Sequence, residues 1–288
     1  MVRFGLWDFD FKQKMRLALT KQHARTAEAF PPAAVAATTP IYFLHIPKTA
    51  GTTMRHILAA KFGERLYPHG LWDNIWNDNF TSLDSYDAFS GHFGFAFSQM
   101  LRRSPWIFTF LRDPFERTIS HFLHIKRDQG HPYYKYLYDK TFEEFVFDPF
   151  AVPLIYNFQA RYLACPFTAV ACGAKIPHGQ MTNTVSVTWE LMSYGMSDDE
   201  VRFGAFAALD KLNFVGFVEL MKQSISRLAR HLDLNVVEAP RLNVSTFRDQ
   251  IGDISNRARE RIAEMTQIDR EIYDAARAKF IGAESSRY

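Results

Sequence analysis

The sequence predicts an α/β protein in which a central parallel β-sheet is flanked by helices in three layers. Two short segments and one chain-long pattern predict it. His45-Ile-Pro-Lys-Thr-Ala-Gly-Thr-Thr53 and Leu111-Arg-Asp-Pro-Phe-Glu-Arg-Thr-Ile-Ser120 each follow an apolar run that reads as a buried strand, and each leads into a helix-period pattern. A strand feeding a turn and then a helix N-terminus is how α/β proteins hold phosphate, because free backbone N–H groups and the positive helix end face the ligand. Two such turns, each with a cation, point to a ligand with phosphate at two separated places. Elsewhere strands alternate with helices, the pattern of a parallel sheet.

Taken in order, residues 1–39 read as an N-terminal extension: an amphipathic stretch over 11–27, then Pro31-Pro32 and an Ala/Thr linker. The globular domain is expected over 40–288. Residues 41–46 form the first strand, apolar enough to lie buried. A helix starts at Thr52 or Thr53 with Met54, Ile57 and Leu58 on one face, and Gly63 stops it. Residues 64–87 are rich in Trp, Asn and Asp without a period and read as loop. Further strands are expected over 88–93 and 106–111. The next helix has Asp113 at its N-cap, Pro114 at its first position and Glu116 at the third, with Phe115, Ile119, Phe122 and Leu123 as its core face. Thr141 and Glu144 form a capping box. Residues 154–164 read as one helix with Asn157 and Arg161 a turn apart on one face. Residues 165–196 read as an irregular insertion. Ser197 and Glu200 cap a helix ending near Lys211, a strand follows over 213–217, and Met221, Ile225, Leu228 and Leu232 mark another helix. The stretch 255–280 is mostly helical.

The chain has 288 residues, 47% hydrophobic and 23% charged, enough for one large domain with a substantial core. A net charge of +3 suits a small anionic ligand and falls short of the basic stripe of a nucleic-acid binder. The N-terminus lacks a continuous apolar run, and the apolar stretch 33–46 is short and interrupted by Pro40 and His45. A soluble, cytoplasmic protein without membrane insertion is expected. Without an export signal, Cys165 and Cys172 are read as reduced thiols, although an oxidising compartment would let them close a small loop. With no matching His pair nearby they make a weak zinc case, and no metal set is evident.

The first turn carries its lysine before its glycine, as Lys48-Thr49-Ala50-Gly51-Thr52-Thr53. A nucleotide-kinase phosphate loop instead places lysine at the helix start, after the last glycine. Lys48 projects toward a phosphate while Thr52 and Thr53 add hydroxyl and backbone donors; the alternative is a surface turn with an incidental lysine. In the second turn, seven residues at about 100° each bring Ser120 round to the side of Asp113, so Arg112 and Ser120 can grip one phosphate together. Here the alternative is an Asp113/Arg112 structural pair with an incidental serine.

Together the two turns resemble the 5′-phosphosulfate loop and the 3′-phosphate motif of carbohydrate sulfotransferases that use 3′-phosphoadenosine 5′-phosphosulfate (PAPS), especially the heparan sulfate 6-O- and, less closely, 2-O-sulfotransferases. FLHIPKTAGTTMRHIL is similar to the 6-O loop, and FTFLRDPFERTISHFLHIKRDQG to its 3′-phosphate segment. Weaker echoes follow in order at 157–163, 214–219 and Asn243-Val-Ser245. The resemblance implies a P-loop-NTPase-like fold, PAPS as donor and 3′-phosphoadenosine 5′-phosphate (PAP) as product, and no required metal. It implies that residues 48–53, Arg112 and Ser120 bind the donor and that Lys48 stabilises the leaving phosphate. It also implies a histidine base in a Gly-His segment between the two motifs. Ser90-Gly91-His92 fits by position, which assigns the base to His92; His45 orients the turn, and His69 and His124 stand outside the role. Acceptor contacts are expected from the Trp-rich loop (Trp72, Trp76), from Tyr133 and the tyrosines after it, and from Arg161, through stacking on sugar rings or cationic contact. The loop departs from the 6-O pattern at Pro47 and Ala50, where Gln and Gly are usual. Two rival readings are a kinase-like phosphotransferase and a non-catalytic nucleotide- or glycan-binding module. The missing kinase loop order weighs against the first, and the joint presence of Lys48, His92, Arg112 and Ser120 against the second.

Overall fold

The computed structural model describes residues 35–36, 38–68, 70, 75, 80–164, 196–234 and 251–281, all within the unit Ala34–Tyr288. The expected helix over 11–27, His69, Trp72, Trp76, the two cysteines and Asn243-Val-Ser245 lie outside the described residues.

Strands β1 (Ile41–Leu44), β2 (Ala88–Gly91), β3 (Trp106–Leu111) and β4 (Phe214–Phe217) form one parallel sheet in the order β2-β1-β3-β4. Ile41 lies opposite Ala88 on one side and Trp106 on the other, and Phe108 opposite Phe214. The chain leaves β1 in one direction and β3 in the other, so the carboxyl ends of these neighbours flank a switch point, where open α/β sheets bind ligands.

The helices are α1 (Gly51–Phe62), α2 (Pro114–Arg127), α3 (Tyr134–Leu137), α4 (Phe142–Phe147), α5 (Val152–Ile155), α6 (Phe158–Ala164), α7 (Asp198–Lys211), α8 (Met221–Leu232), α9 (Asn256–Met265) and α10 (Gln267–Phe280). On one sheet face Ile41, Phe43, Phe108, Phe110 and Phe214 pack against Met54, Ile57 and Leu58 of α1 and Ile225, Leu228 and Leu232 of α8. On the other, Tyr42, Leu44, Phe89, Leu111 and Phe217 meet Phe158 and Tyr162 of α6, Leu209 of α7 and Ile272 of α10. Both faces are covered, which is why these strands are apolar runs rather than alternating patterns. A third cluster joins α2, α4, α5 and α9 through Ile119, Phe122, Phe145, Leu154 and Ile262. The predicted α/β class and three-layer arrangement hold.

The helix signals are local and they hold as well. Asp113 accepts hydrogen bonds from the Phe115 and Glu116 N–H groups, and both capping boxes close, Thr141 with Glu144 and Ser197 with Glu200. Four boundaries differ from expectation. β1 stops at Leu44 and β2 at Gly91, leaving His45 and His92 on loops. The loop expected over 64–87 contains short 3₁₀ turns at Gly63–Arg65 and Phe80–Ser85. The helix expected over 154–164 is broken at Asn157 (φ 41°); the stretch 255–280 is mostly helical as expected, as two helices that meet at Thr266. The break and this junction share a cause. The Asn157 side-chain oxygen accepts from Ile268 N–H (3.0 Å) at the start of α10, while Asp269 accepts from Ala160 N–H (2.7 Å) at the start of α6. Each helix caps the other, satisfying orphan N–H groups at both ends. No helix among the described residues is long and apolar enough to cross a membrane.

Candidate functional site

The first turn leaves β1 and enters α1 through two residues in the left-handed region, Lys48 and Ala50, both at φ 72°. Thr49 between them is fully buried, and both its N–H (3.3 Å) and its hydroxyl (2.7 Å) donate to the Ile46 carbonyl. Thr49 therefore closes the turn on itself. Ala50 occupies the N-cap position and no side chain caps α1, so the positive helix end faces the turn uncovered. Thr52 is exposed and Thr53 buried. Gly51 is demanded by close approach: a Cβ there would lie 1.6 Å from His45 Nε2. The His45 ring fills that space, stacked on Phe43 (5.3 Å between centroids) and 4.2 Å from the His92 ring.

His92 is the first residue past β2. Its backbone N–H donates to Gly70 O (2.8 Å), and its Nδ1 lies 3.0 Å from the His45 carbonyl. A carbonyl can only accept, so Nδ1 carries the proton and Nε2 keeps its lone pair. Burial pushes the imidazole down to about 4; the His45 hydrogen bond opposes this and the Lys48 charge adds to it. The ring is neutral at physiological pH, in the tautomer that can accept a proton at Nε2.

The second turn leaves β3. Gln159 of α6 accepts from Arg112 N–H (3.0 Å) and donates to Arg112 C=O (2.8 Å). Asp113 caps α2 and pairs with Arg270 (2.6 Å). Along α2, Arg117, His121 and His124 follow at helical spacing on one face, with partly exposed Ser120 beside them. Arg117 is 1% exposed; it donates to the Leu154 carbonyl, lies 4.0 Å over the Phe158 ring, and contacts His121 Nδ1 at 3.3 Å. His131 packs edge-on against both His121 (5.8 Å) and His124 (5.4 Å).

These groups act on Lys48. Burial first, and then the charges of Arg127, Arg112 and Arg117, lower its ammonium to about 8, with Asp128 opposing them. His124 and His131 are lowered to about 4, in each case chiefly by burial with Lys48 contributing. Cations from the β1 turn, the β3 turn and the end of α2 thus share one field, and an anion placed among them relieves their mutual repulsion. A cleft of about 490 Å³ is unlike this: Asp113, Glu116, Glu219 and Asp274 line it alongside Arg270 and Arg277.

Of the residues singled out in the sequence, those over 48–53, His92 and Arg112 follow the carboxyl ends of β1, β2 and β3, while Ser120 lies about two turns into α2. Tyr133 packs against the cluster that joins α2, α4, α5 and α9, and its backbone N–H donates to His131 Nδ1 (3.2 Å). Arg161 is buried against Asp198 (3.4 Å) and over the Tyr156 ring (4.9 Å). Sequence reasoning passed over Gln159, Arg117, His121, Arg127 and His131. The spacing of Arg117, His121 and His124 on a correctly placed helix was a usable signal; nothing local marks Gln159. Among the described residues no group of three or more His, Cys, Asp or Glu is placed to hold a metal ion.

A family model described as the sulfotransferase family matches residues 31–277. No curated protein matches the chain.

Proposed function

The chain belongs to the sulfotransferase family, and from that membership we propose that it moves a sulfuryl group from PAPS to a hydroxyl of a carbohydrate-type acceptor, releasing PAP. The observation that carries this reading is the pairing of two cationic turns at the switch point. Lys48 follows β1 and Arg112 follows the adjacent β3, each within the other's field, and His92 enters from β2 on the opposite side.

In this reading the start of α1, with the backbone of residues 50–53 and the Thr52 and Thr53 hydroxyls, holds the 5′ end of the donor, while Thr49 shapes the turn. Arg112 and Ser120 hold the 3′-phosphate, which separates PAPS from ATP-like nucleotides. The acceptor hydroxyl gives its proton to His92 Nε2 as its oxygen bonds to sulfur. The bond between sulfur and the bridging phosphate oxygen breaks in line, and Lys48 meets the charge left on that oxygen. Bound phosphates raise the Lys48 ammonium from about 8 and keep it charged through this step. Tyr133 is assigned to the acceptor, and the likeness to the heparan sulfate 6-O- and 2-O-enzymes favours a saccharide there. No step calls for a metal.

Calorimetric titration with PAP, with ATP as control, tests the donor assignment. Tight PAP binding with feeble ATP binding supports it, and labelled PAPS then screens saccharide acceptors. A folded sample that does not bind PAP sinks it.

A further inference from the structure

The β3–β4 ladder ends at Leu111 opposite Phe217, so the Arg112 backbone lies beyond the sheet. What meets it is a side chain from 47 residues away: Gln159 Oε1 accepts from Arg112 N–H at 3.0 Å, and Gln159 Nε2 donates to Arg112 C=O at 2.8 Å. We propose that Gln159 is the positioning residue for Arg112, an amide clamp that aims the guanidinium at the 3′-phosphate of the nucleotide; this rests on the donor reading above.

The clamp has the features a positioning device needs. One amide orientation alone serves both bonds, since the oxygen can only accept and the NH₂ only donate. Together they fix both polar groups of one residue and so the direction of its Cα–Cβ bond. Arginine is long and flexible, and a bidentate grip on phosphate needs the guanidinium plane in the right orientation. A tilt at Cα is magnified at the far end of the side chain. Gln159 is itself held: it is 1% exposed and sits in the first turn of α6. Asp269 caps that turn through Ala160 N–H, and Asn157 just before it donates to Met265 O (2.8 Å) and accepts from Ile268 N–H (3.0 Å). The orientation of Arg112 is thus referred to the junction of α6, α9 and α10 rather than to its own loop.

The test compares PAP with adenosine 5′-phosphate, which differs only in lacking the 3′-phosphate, on the full chain. Gln159→Met keeps the length and removes both hydrogen bonds. It is expected to weaken PAP at least 10-fold while adenosine 5′-phosphate changes less than twofold. In an Arg112→Ala background the same substitution is expected to change PAP affinity less than twofold. Gln159→Glu keeps the acceptor and loses the donor, so its PAP preference should fall between those of wild type and Gln159→Met; it serves where the methionine variant does not fold. Equal weakening of both nucleotides, or an unchanged preference for PAP, overturns the clamp alone. A wild-type protein that binds the two nucleotides equally removes the 3′-phosphate site, and the clamp's purpose with it.

Discussion

Lys48 and Ala50 hold a backbone conformation that an L-residue adopts at a cost of roughly 1–2 kcal/mol each. The turn tolerates this because Thr49 ties it to Ile46 from both its N–H and its hydroxyl. At position 50 a glycine would remove the steric cost while adding unfolded-state entropy worth about 0.4–1 kcal/mol. Ala50→Gly is therefore expected to stabilise the protein by about 0.5–1 kcal/mol, a rise in Tm of about 1–4 °C by calorimetry. The Ala50 methyl packs against the cluster under α1, so a fall in Tm would mean that this lost packing outweighs the relieved strain. His92 admits a sharper test. His92→Ala should leave PAP affinity within about threefold and lower kcat by about 10²–10⁴. In the wild type, kcat/KM should rise with pH through an acid limb near or above 4, as the imidazole loses its proton. Undiminished turnover in the variant would place the base elsewhere. The residues of both turns were legible in the sequence because phosphate-binding turns are local: strand, cation, small residue and helix start are consecutive. Gln159 was not, because its role exists only once Arg112 and α6 are brought together.

Between elements, the break at Asn157 is the clearest departure from what periodicity implies. Residues 154–164 keep a helical apolar pattern across the junction, so nothing in that window signals a stop. The stop is tertiary. Asn157 turns into the left-handed region, where Asn is better tolerated than most residues, and its amide caps α10 while Asp269 returns the cap to α6. Asn157→Ala removes the cap, worth about 0.5–2 kcal/mol, and adds left-handed strain of about 1 kcal/mol. The expected loss is about 1.5–3 kcal/mol, or about 3–12 °C in Tm. Asn157→Gly relieves the strain and should lose only about 1 kcal/mol. Equal losses in the two variants would refute the backbone part of the account. Asp113, Thr141 and Ser197 were legible for the opposite reason, since each caps the helix that immediately follows it.

Over the whole molecule, the site is a stored electrostatic imbalance, and pH reads it out. His92, His124 and His131 sit at about 4 in the fold against about 6.5 for an exposed imidazole. Between those values the unfolded chain binds more protons than the folded one, so stability is lost as pH falls from about 6.5 toward 4. Asp269 has the opposite sign. Burial raises it from 3.8 to about 6, so the folded chain holds an extra proton in that interval and resists acid there. Burial lowers His45, His121 and His231 as well, so the histidines outweigh Asp269 and acidification brings a net loss of Tm. A bound polyanion reverses the imbalance, because its charge raises every one of the depressed groups. At pH 8 Lys48 is about half protonated in the free protein, so PAP should draw in about half a proton on binding. At pH 5 the protons should go to the histidines around Lys48 instead. Titration in two buffers of different ionisation enthalpy measures this directly: the apparent binding enthalpy changes between buffers in proportion to the protons taken up. Lys48→Ala should abolish the uptake at pH 8 and leave most of that at pH 5. A binding enthalpy independent of buffer at both pH values would mean that PAP settles away from Lys48 and its histidines, and the cationic edge of the sheet would then need another ligand.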